Sequence, residues 1–447
     1  MWKYGMEQKL GYYIETFGCQ MNVRDSETIA GILNENGYDH KTAKEDADFI
    51  LYNTCCVRDH AERRVFGNIG ALKEQKDANP NLIIAVCGCM MQQKEVANRL
   101  FKRFPYVDLV FGTNLLSRLP SFIAEARLGN RVLAVDPNAI AIEDTLPALR
   151  SGEINAFVNI NYGCDNFCTY CIVPYVRGRE RSRQPESILN EVRSLVEQGY
   201  SEITLLGQNV NSYGHDLDDE SFPKLLRAVS AVEGLKRIRF MTSHPKDLTD
   251  ELIGTIAALP NVCHHVHLPV QSGSSEILKR MNRKYDRGQY LTIVKKLRAA
   301  MPDIEITTDI IVGFPGETEE QFLETLSLVE EVGYASAFTF KYSIRKGTRA
   351  ATMENQVSED VKRDRLKRLN ALQERKSFEN NSKYCGFTGL VHVEGCDTRT
   401  REPMCFGKYQ NFKMVYFPGG TELVDRYVTV TALDCRANSL IGRMEEG

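Results

Sequence analysis

The sequence predicts an α/β protein with three parts: an N-terminal domain with an open parallel sheet, a central partial (β/α)6 barrel, and a small C-terminal β-barrel. Two observations predict this architecture. Apolar, strand-like runs alternate with amphipathic helical stretches through most of the chain, as in parallel α/β folds. After Tyr384 this alternation gives way to short β-like runs with Gly and Pro turns, which are typical of a small all-β module. The 447 residues are also enough for about three domains.

The N-terminal domain is expected to span residues 10–127. Strands are predicted at 12–16, 49–53, 82–86 and 107–111, with helices at 26–35, 58–75 and 114–127. Residues 128–150 are weakly patterned and contain Pro137 and Pro147, so we expect a linker there.

The central domain is expected to span residues 150–380. Its six strands are predicted at 157–160, 202–206, 237–241, 264–268, 305–311 and 337–342, separated by helices at 185–198, 222–232, 274–281, 290–300 and 319–332. Six such units predict a parallel barrel or partial barrel, whose chemistry lies at the C-terminal ends of the strands. A charged helix at 361–376 precedes the C-terminal module, which is expected at 383–446 with strands at 389–393, 413–417 and 427–432.

The composition excludes several classes of protein. No apolar run reaches the ~18 residues that a membrane-spanning helix needs, and residues 1–10 lack the apolar core of a signal peptide, so we expect a cytoplasmic protein. The formal net charge of −3 excludes a uniformly basic surface but allows a local basic patch. The 13 cysteines are an odd number, and in a reducing compartment they favour metal or cluster ligation over disulfides.

The most specific motif is Cys164-x-x-x-Cys168-x-x-Cys171, directly after the first predicted strand of the central domain. Three thiolates so close in sequence can bind three irons of a [4Fe–4S] cluster and leave the fourth iron open for a substrate or cofactor. A structural zinc site is the alternative, but it needs four ligands, and no His or further Cys lies nearby in the sequence.

A cysteine motif of this spacing, on the first loop of a six-unit parallel domain, resembles the radical S-adenosylmethionine (SAM) superfamily. The resemblance implies that the open iron binds SAM and that the reduced cluster cleaves it to generate a radical. SAM contacts are expected at the ends of strands, and we name Gln208 after the second strand, Gln271 after the fourth and Gly313 after the fifth. Ordinary turn chemistry is the alternative for each of these residues.

Cysteines also follow three predicted strands of the N-terminal domain: Cys19 in TFGCQMN, Cys55 and Cys56 in NTCCVRD, and Cys87 and Cys89 in VCGCMM. The C-terminal ends of parallel strands converge on one crevice, so one thiolate from each strand would form a second three-cysteine site. The residue pattern does not decide between Cys55 and Cys56, or between Cys87 and Cys89. Neighbouring strand residues face opposite sides, so Cys55 and Cys56 are not expected to ligate together. Core packing is the alternative for all five.

The order of these motifs resembles the methylthiotransferase family of radical SAM enzymes, in its tRNA-modifying, MiaB-type branch. The blocks VPYVRGRERSR, LLGQNVNSYG, FMTSHP, LPVQSGS, LKRMNRKY and TDIIVGFPGETEE extend the resemblance over nearly the whole chain. The resemblance implies that Cys19, Cys55 and Cys89 hold an auxiliary [4Fe–4S] cluster, while the roles of Cys56 and Cys87 stay open.

The same resemblance implies a transferase that adds a methylthio group to carbon 2 of an isopentenylated adenosine at tRNA position 37. The auxiliary cluster would hold the sulfur, and no catalytic residues are expected beyond the two clusters and SAM. Expected partners are the tRNA, a low-potential electron donor and an unidentified sulfur source, with no membrane and a monomeric chain. The alternatives are methylthiolation of a ribosomal-protein aspartate or of threonylcarbamoyl-adenosine, and a non-catalytic iron–sulfur regulator that binds RNA.

Four arginines that alternate just after the cysteine motif are candidate RNA contacts. In an extended segment they would form one phosphate-binding row of Arg177, Arg179, Arg181 and Arg183. A solvated charged loop is the alternative.

The C-terminal module resembles the TRAM domain, a small RNA-binding barrel. Its aromatic residues interleave with lysines in a pattern compatible with base stacking or with a barrel core: Phe406, Lys408, Tyr409, Phe412 and Lys413. Five further cysteines share no spacing and are expected to be core or surface thiols: Cys263, Cys385, Cys396, Cys405 and Cys435.

Overall fold

A computed structural model describes residues 9–56, 61–136, 142, 146–150, 152, 154–399 and 402–445. The chain divides into two compact units. Unit 1 comprises Met1–Ser151, Tyr162–Asp165 and Ile172–Arg183, and unit 2 comprises Gly152–Asn161, Asn166–Cys171 and Gln184–Gly447. No described helix is long and apolar enough to cross a membrane.

Unit 1 begins with alternating strands and helices. In chain order these are β1 Leu10–Thr16, α1 Gln20–Glu35, β2 Tyr38–His40, β3 Phe49–Thr54, α2 Ala61–Ala71, α3 Lys73–Ala78, β4 Ile83–Gly88, α4 Lys94–Arg103, β5 Leu109–Phe111, α5 Leu119–Arg127 and β6 Val132–Ala134. The strands form one sheet in the order β2-β1-β3-β4-β5-β6, and every neighbouring pair is parallel. The open parallel sheet predicted for this region is therefore confirmed.

Each face of this sheet has its own hydrophobic core. Every residue of the two central strands, β3 and β4, is buried, as expected for a parallel sheet that is covered on both faces. Ile50 and Val86 pack on the face that α2 and α4 cover, whereas Leu51 packs with Ile29 of α1 on the other face.

Three expectations for this region change. Val132–Ala134 pairs with β5 as an edge strand, so residues 128–150 are not purely a linker. The first helix begins at Gln20, directly after Cys19, rather than at residue 26. The three-residue strand β2 was not predicted because so short a run carries no detectable alternation. The predicted helix start at residue 58 and Pro137 lie outside the described residues.

The central region continues the alternation. In chain order its elements are β7 Asn155–Asn159, β8 Asn161–Tyr162, α6 Val173–Val176, β9 Arg181–Ser182, α7 Pro185–Glu197, β10 Glu202–Leu206, α8 Phe222–Ser230, β11 Arg237–Phe240, α9 Asp250–Ala258, β12 His265–His267, α10 Ser275–Arg280, α11 Arg287–Ala300, β13 Glu305–Val312, α12 Glu319–Val332, β14 Ser336–Lys341 and α13 Glu359–Ser382. All six predicted strands are present. Helix α9, whose first turn is capped by Thr249, was not predicted.

Six of these strands form the partial barrel that the sequence predicts. Strands β7, β10 and β11 make one parallel sheet and β12, β13 and β14 make a second. A single parallel bridge between Ile238 and Val262 lies where the two sheets succeed each other. One face of the strands packs against the helices in a large core that contains Val158, Leu205 and Ile306.

The C-terminal module is a closed barrel. Its strands are β15 Thr388–Asp397, β16 Met404–Lys408, β17 Met414–Pro418, β18 Tyr427–Arg436 and β19 Ser439–Met444, in the spatial order β15-β16-β17-β19-β18. The sequence predicted the first, third and fourth of these strands. The other two complete the ring through backbone pairing that no local pattern announces.

The closed C-terminal barrel packs against the N-terminal ends of strands in the central (β/α) region. The first residues of β10, β11 and β13 make these contacts, in the pairs Glu202 with His392 (3.2 Å), Arg237 with the carbonyl of Lys408 (2.7 Å) and Glu305 with Lys413 (3.3 Å). Burial alone would raise the pKa of Glu202, but the charge of Arg239 and hydrogen bonds from His392 and Arg239 lower it to about 2. This arrangement covers the end of the barrel opposite to the one where parallel barrels carry their chemistry.

Candidate functional site

Four cysteines of unit 1 lie at the C-terminal ends of three adjacent strands. Cys19 is the N-cap of α1 after β1, Cys55 and Cys56 follow β3, and Cys89 follows β4. Because these strands are parallel neighbours, their ends meet at one edge of the sheet. The turn of Gly18 is so close to β3 that a Cβ there would lie 3.0 Å from the sulfur of Cys55.

One buried amide ties these three chain segments together. The Nδ2 of Asn22 donates to the carbonyl of Phe17 at 2.7 Å and to the carbonyl of Thr54 at 3.1 Å. Its Oδ1 lies 3.8 Å from the sulfur of Cys89. Asn22 thus joins the turn before Cys19, the end of β3 and the turn after β4, which are the three segments that carry the thiols.

Cys87 and Cys89 lie in different surroundings. Cys87 packs in the core on the α1 face of the sheet, where burial raises the pKa of its thiol well above the ordinary value. Cys89 packs on the opposite face, where the Cys56 thiol and, against the effect of burial, the charge of Arg177 lower its pKa to about 6. Since metal ligation requires a thiolate, this contrast favours Cys89.

Cys55 and Cys56 are less clearly separated. Both are buried on the same face as Cys89, with Cys55 beside Gly18. The pKa of Cys56 is raised, first by its hydrogen bond with Cys89 and then by burial, so within that pair Cys89 is the more acidic thiol. The geometry leaves both cysteines near the edge of the sheet where the other thiols lie.

The thiol sets suit a cubane better than a single metal ion. Within the described ranges, no three His, Cys, Asp or Glu side chains are gathered closely enough to hold one metal ion. A [4Fe–4S] cubane binds each thiolate through a different iron, so its ligands need not converge on one point. A structural zinc ion would need four converging ligands. The sheet edge carries four cysteines, of which a cubane with one open iron would use three, and the motif loop carries three, so both sets are compatible with such a cluster.

The second cysteine group lies on the loop of residues 163–172. Cys164 belongs to unit 1, where its amide donates to the carbonyl of Gly178 at 3.1 Å. Cys168 and Cys171 belong to unit 2, and the amide of Cys171 donates to the carbonyl of Cys168 at 2.9 Å. The loop is held within unit 2 at Thr169, whose amide donates to the carbonyl of Met281 at 3.0 Å.

A buried arginine lies beside Cys168. The guanidinium of Arg283 lies 3.4 Å from the sulfur of Cys168 and also donates to the hydroxyl of Tyr285 and the carbonyl of Pro269, both at 2.8 Å. Burial, and after it the charges of Arg283 and Lys246, hold the pKa of His244 far below its ordinary value. His244 is therefore neutral at this end of the barrel.

Residues with unusual backbone conformations follow three of the strands in the central barrel. Thr242 after β11 and Gln271 after β12 have φ values of 68° and 74°, which are unusual for residues with a side chain, and Gly313 after β13 has 71°. Such strain clusters at ligand sites. Both side-chain polar atoms of Asn211, after β10, are buried without a hydrogen-bond partner in the part of the chain that the structure describes. A buried, unsatisfied amide at this end of a barrel fits a site for a polar cofactor such as SAM.

The three predicted SAM residues all lie at this end of the barrel. Gln208 follows β10 and is half-buried. Gln271 is buried, and its amide donates to the carbonyl of Asp309 at 2.9 Å. Gly313 follows β13, and the side chain of Lys362 occupies the space in which a Cβ at Gly313 would lie. Their contacts with SAM stay a prediction.

The four alternating arginines do not form one exposed row. Arg177 and Arg183 are buried, whereas Arg179 is exposed and pairs with Asp165 at 2.9 Å. Arg181 is half-buried and donates to the carbonyl of Arg177. The expected row fails because the segment is not extended throughout: Arg177 has helical backbone angles (φ −109°, ψ −6°), and Gly178 has a φ of 78°.

The aromatic residues of the C-terminal module are mostly packed. Tyr409 lies in the core of the closed barrel, and Phe412 stacks on His265 with ring centroids 4.3 Å apart. Lys413 is buried near Glu305. The barrel-core alternative is therefore the better interpretation of Tyr409, and Phe412 serves the packing of this module on the central strands.

Sequence reasoning missed three polar residues near the thiols: Asn22, Arg283 and Asp25, whose carboxylate pairs at 2.6 Å with the Arg177 that contacts Cys89. Two of them were within the recognised blocks, Asn22 in TFGCQMN and Arg283 in LKRMNRKY. Their position a few residues from proposed ligands, or within a recognised block, was the available signal, but their partners become visible only in three dimensions.

Comparison with known proteins covers nearly the whole chain. Residues 158–329 match the radical SAM superfamily, and residues 11–112 match an uncharacterized protein family, UPF0004. The chain is 52% identical over 443 residues to a tRNA-2-methylthio-N(6)-dimethylallyladenosine synthase of Clostridium perfringens, covering 99% of both chains. It is 52% identical over 433 residues to the enzyme of the same name from Clostridium botulinum, covering 96% of both.

Solved structures share the fold. The radical SAM methyltransferase TsrM from Kitasatospora setae, with cobalamin and a [4Fe–4S] cluster bound, has a TM-score of 0.57 at 15% identity and covers 77% of both chains. The cobalamin-dependent radical SAM enzyme OxsB has a TM-score of 0.53 at 14% identity and covers 82% of this chain and 56% of its own. At these identities the likeness shows the architecture alone.

Proposed function

The chain belongs to the family of tRNA-2-methylthio-N(6)-dimethylallyladenosine synthases, which are radical SAM methylthiotransferases, and we propose that it adds a methylthio group to carbon 2 of the isopentenylated adenosine at tRNA position 37. The observation that carries this proposal is the 52% identity over 99% of both chains. The two groups of thiols at the C-terminal ends of parallel strands support it, because the reaction needs one group for radical generation and one for sulfur delivery.

The cofactors are [4Fe–4S] clusters and SAM. We assign Cys164, Cys168 and Cys171 to the cluster that works with SAM, and Cys19, Cys55 and Cys89 to the auxiliary cluster. When bound, the first cluster supplies the reductive cleavage of SAM and the second supplies the sulfur atom. A carbon–hydrogen bond of a purine ring is not activated by ordinary acids or bases, which explains why no acid–base pair is assigned.

The chain itself provides ligands, order and shielding. Asn22 holds the three thiol-bearing segments of unit 1 together, and the backbone contacts of Thr169 hold the motif loop. The closed C-terminal barrel covers the N-terminal end of the central strands. SAM is then bound at the opposite end, beside Gln208, Gln271 and Gly313, where the strained backbone and the unsatisfied amide of Asn211 lie.

The tRNA is the substrate, and its contacts are part of the proposal. Arg179 and Arg181 are the better candidates among the four arginines, because Arg177 and Arg183 are buried. The C-terminal barrel is proposed as a TRAM-like RNA-binding module. We further propose a monomer that acts in the cytoplasm, with a low-potential electron donor and a separate sulfur source.

Product analysis tests the proposal. Purified protein with reconstituted clusters would be incubated anaerobically with SAM, a reductant and tRNA that carries isopentenylated adenosine at position 37. We expect the methylthio product by mass spectrometry of the digested tRNA, and none with tRNA that lacks the isopentenyl group. If the methylthio product formed only with threonylcarbamoyl-adenosine or with a ribosomal protein, the proposed substrate would be wrong. Absence of SAM cleavage under reducing conditions would instead favour a non-catalytic regulator.

A further inference from the structure

Each of the two thiol groups has one buried arginine that hydrogen-bonds the sulfur of a proposed ligand. In unit 1 the Nε of Arg177 donates to the sulfur of Cys89 at 3.1 Å. In unit 2 the guanidinium of Arg283 lies 3.4 Å from the sulfur of Cys168. Arg177 is 5% exposed and Arg283 is 8% exposed. Both charges are therefore largely shielded from water, and their electrostatic interactions are stronger than they would be at the surface.

The charge of Arg177 is compensated. Its guanidinium donates to the carboxylate of Asp25 at 2.6 Å and to the Oδ1 of Asn22 at 2.9 Å. Asp25 is 7% exposed, so the two residues form a buried ion pair of no net charge. Arg177 therefore joins Cys89 to the helix that follows Cys19, while adding little net charge to the site.

The charge of Arg283 is not compensated in this way. Its other hydrogen bonds go to the hydroxyl of Tyr285 and the carbonyl of Pro269, which are neutral groups. Across the described ranges of the chain, no carboxylate lies within ion-pair distance of Arg283. The positive charge beside Cys168 is thus available to a cluster, whose overall charge becomes more negative when it is reduced.

We propose that Arg177 and Arg283 are positioning residues for the two clusters and that they act differently. Arg177 with Asp25 fixes the Cys89 ligand as a neutral pair, whereas Arg283 places an uncompensated positive charge beside the Cys168 ligand and raises the reduction potential of that cluster. The inference rests on the proposed function, which requires both clusters. It follows from the general rule that net charge and hydrogen bonds to the sulfurs set the potential of such clusters.

The first test uses the full chain with only the motif-loop cluster, prepared by replacing Cys19, Cys55 and Cys89 with Ala. In this background Arg283→Gln is expected to lower the midpoint potential in an anaerobic titration followed by electron paramagnetic resonance. Arg283→Lys keeps the charge, so its midpoint should lie closer to the parent value. Arg239→Gln is the matched control, because Arg239 is also buried but pairs with Glu202 at the other end of the strands. It should leave the midpoint unchanged.

The second test uses the full chain with only the auxiliary cluster, prepared by replacing Cys164, Cys168 and Cys171 with Ala. Here Arg177→Gln leaves Asp25 buried and unpaired, so the affinity for the cluster should fall about 10- to 100-fold and less iron should remain after gel filtration. The double variant with Asp25→Asn restores neutrality and should recover most of the iron, with a midpoint near that of the parent.

The outcomes distinguish a failure of the proposed arginine roles from a failure of the cluster assignment. An unchanged midpoint in Arg283→Gln, or an equal shift in Arg239→Gln, would overturn the role of Arg283. Normal iron retention in Arg177→Gln, or no recovery in the double variant, would overturn the role of Arg177. If Arg283→Gln does not fold, Arg283→Lys provides the test, because it keeps the positive charge. A midpoint potential of Arg283→Lys above that of the parent, or far below it, would contradict a charge effect. Absence of iron from either cysteine parent would contradict the cluster assignment itself.

Discussion

The two proposed cluster sites each present three thiols, but they bring those thiols together in opposite ways. At the motif loop, Cys164, Cys168 and Cys171 lie within one short segment, and their order along the chain already brings them together. At the sheet edge, the thiols come from the ends of three strands and meet only because β1, β3 and β4 are parallel neighbours. The loop site is thus local, whereas the sheet site depends on the fold of the whole of unit 1.

This difference teaches where each site is vulnerable. A local site fails when its own loop is displaced. A site assembled from distant segments fails when any contact that aligns those segments is lost, even if no ligand changes. The predictions below separate these two kinds of failure.

Removing the ligands has the largest expected effect. Replacing Cys164, Cys168 and Cys171 with Ala should abolish SAM cleavage and product together, because the open iron that binds SAM is lost. Replacing Cys19, Cys55 and Cys89 should abolish the methylthio product but leave SAM cleavage measurable as 5′-deoxyadenosine. Full product from the second variant would show that the sheet-edge thiols do not deliver sulfur.

Asn22→Ala should selectively damage the sheet site. It removes the amide that donates to the buried carbonyls of Phe17 and Thr54, at a cost of about 1–3 kcal/mol for each bond lost. We expect loss of the auxiliary cluster, with SAM cleavage retained. The matched control is Asn36→Ala at the C-cap of the same helix, whose side-chain amide donates to the carbonyl of Ile32. Equal iron contents in the two variants would contradict the alignment role of Asn22.

Gly163→Ala should selectively damage the loop site. Gly163 has a φ of 76°, and a Cβ there would lie 2.0 Å from the carbonyl oxygen of Arg179, so the backbone next to Cys164 must move. Gly129 has a φ of 83° and open space around its Cα, and it lies away from the loop, which makes Gly129→Ala a control for the cost of backbone strain alone, about 1–2 kcal/mol. Iron analysis should show loss of the loop cluster only in Gly163→Ala. An equal loss in both variants would mean that strain rather than displacement matters.

Cys87→Ala should have the smallest effect. Cys87 packs in the core on the face of the sheet away from Cys89, so its loss should cost about 1–2 kcal/mol of stability and no iron. Cys89→Ala should lose the auxiliary cluster. Thermal unfolding and iron content together distinguish the two, and loss of iron in Cys87→Ala would reverse the assignment.

The contrast between features set by neighbouring residues and features set by distant ones also explains what could be predicted from the sequence. The six strands of the central barrel and the cysteine motif were predicted because apolar runs and short spacings are local signals. The edge strand Val132–Ala134 and the barrel strand Ser439–Met444 were not predicted, because pairing with neighbouring strands rather than their own pattern defines them.

The surroundings of the thiols could be predicted only in part. Family resemblance selected Cys89 over Cys87, and the structure supplies a physical reason in the two faces of the sheet. The four arginines do not form the expected row. Alternate residues share one face only in an extended segment, whereas Arg177 has helical backbone angles and its side chain is buried. Asn22 and Arg283 could not be assigned from sequence, since their roles come from partners that are distant along the chain.

Counting iron tests the central claim most directly. Anaerobically reconstituted protein should contain about eight irons per chain, and each triple cysteine variant should contain about four, because each site holds one [4Fe–4S] cluster. About four irons in the unmodified protein, with no further loss when Cys19, Cys55 and Cys89 are replaced, would contradict the claim that the sheet edge is a cluster site.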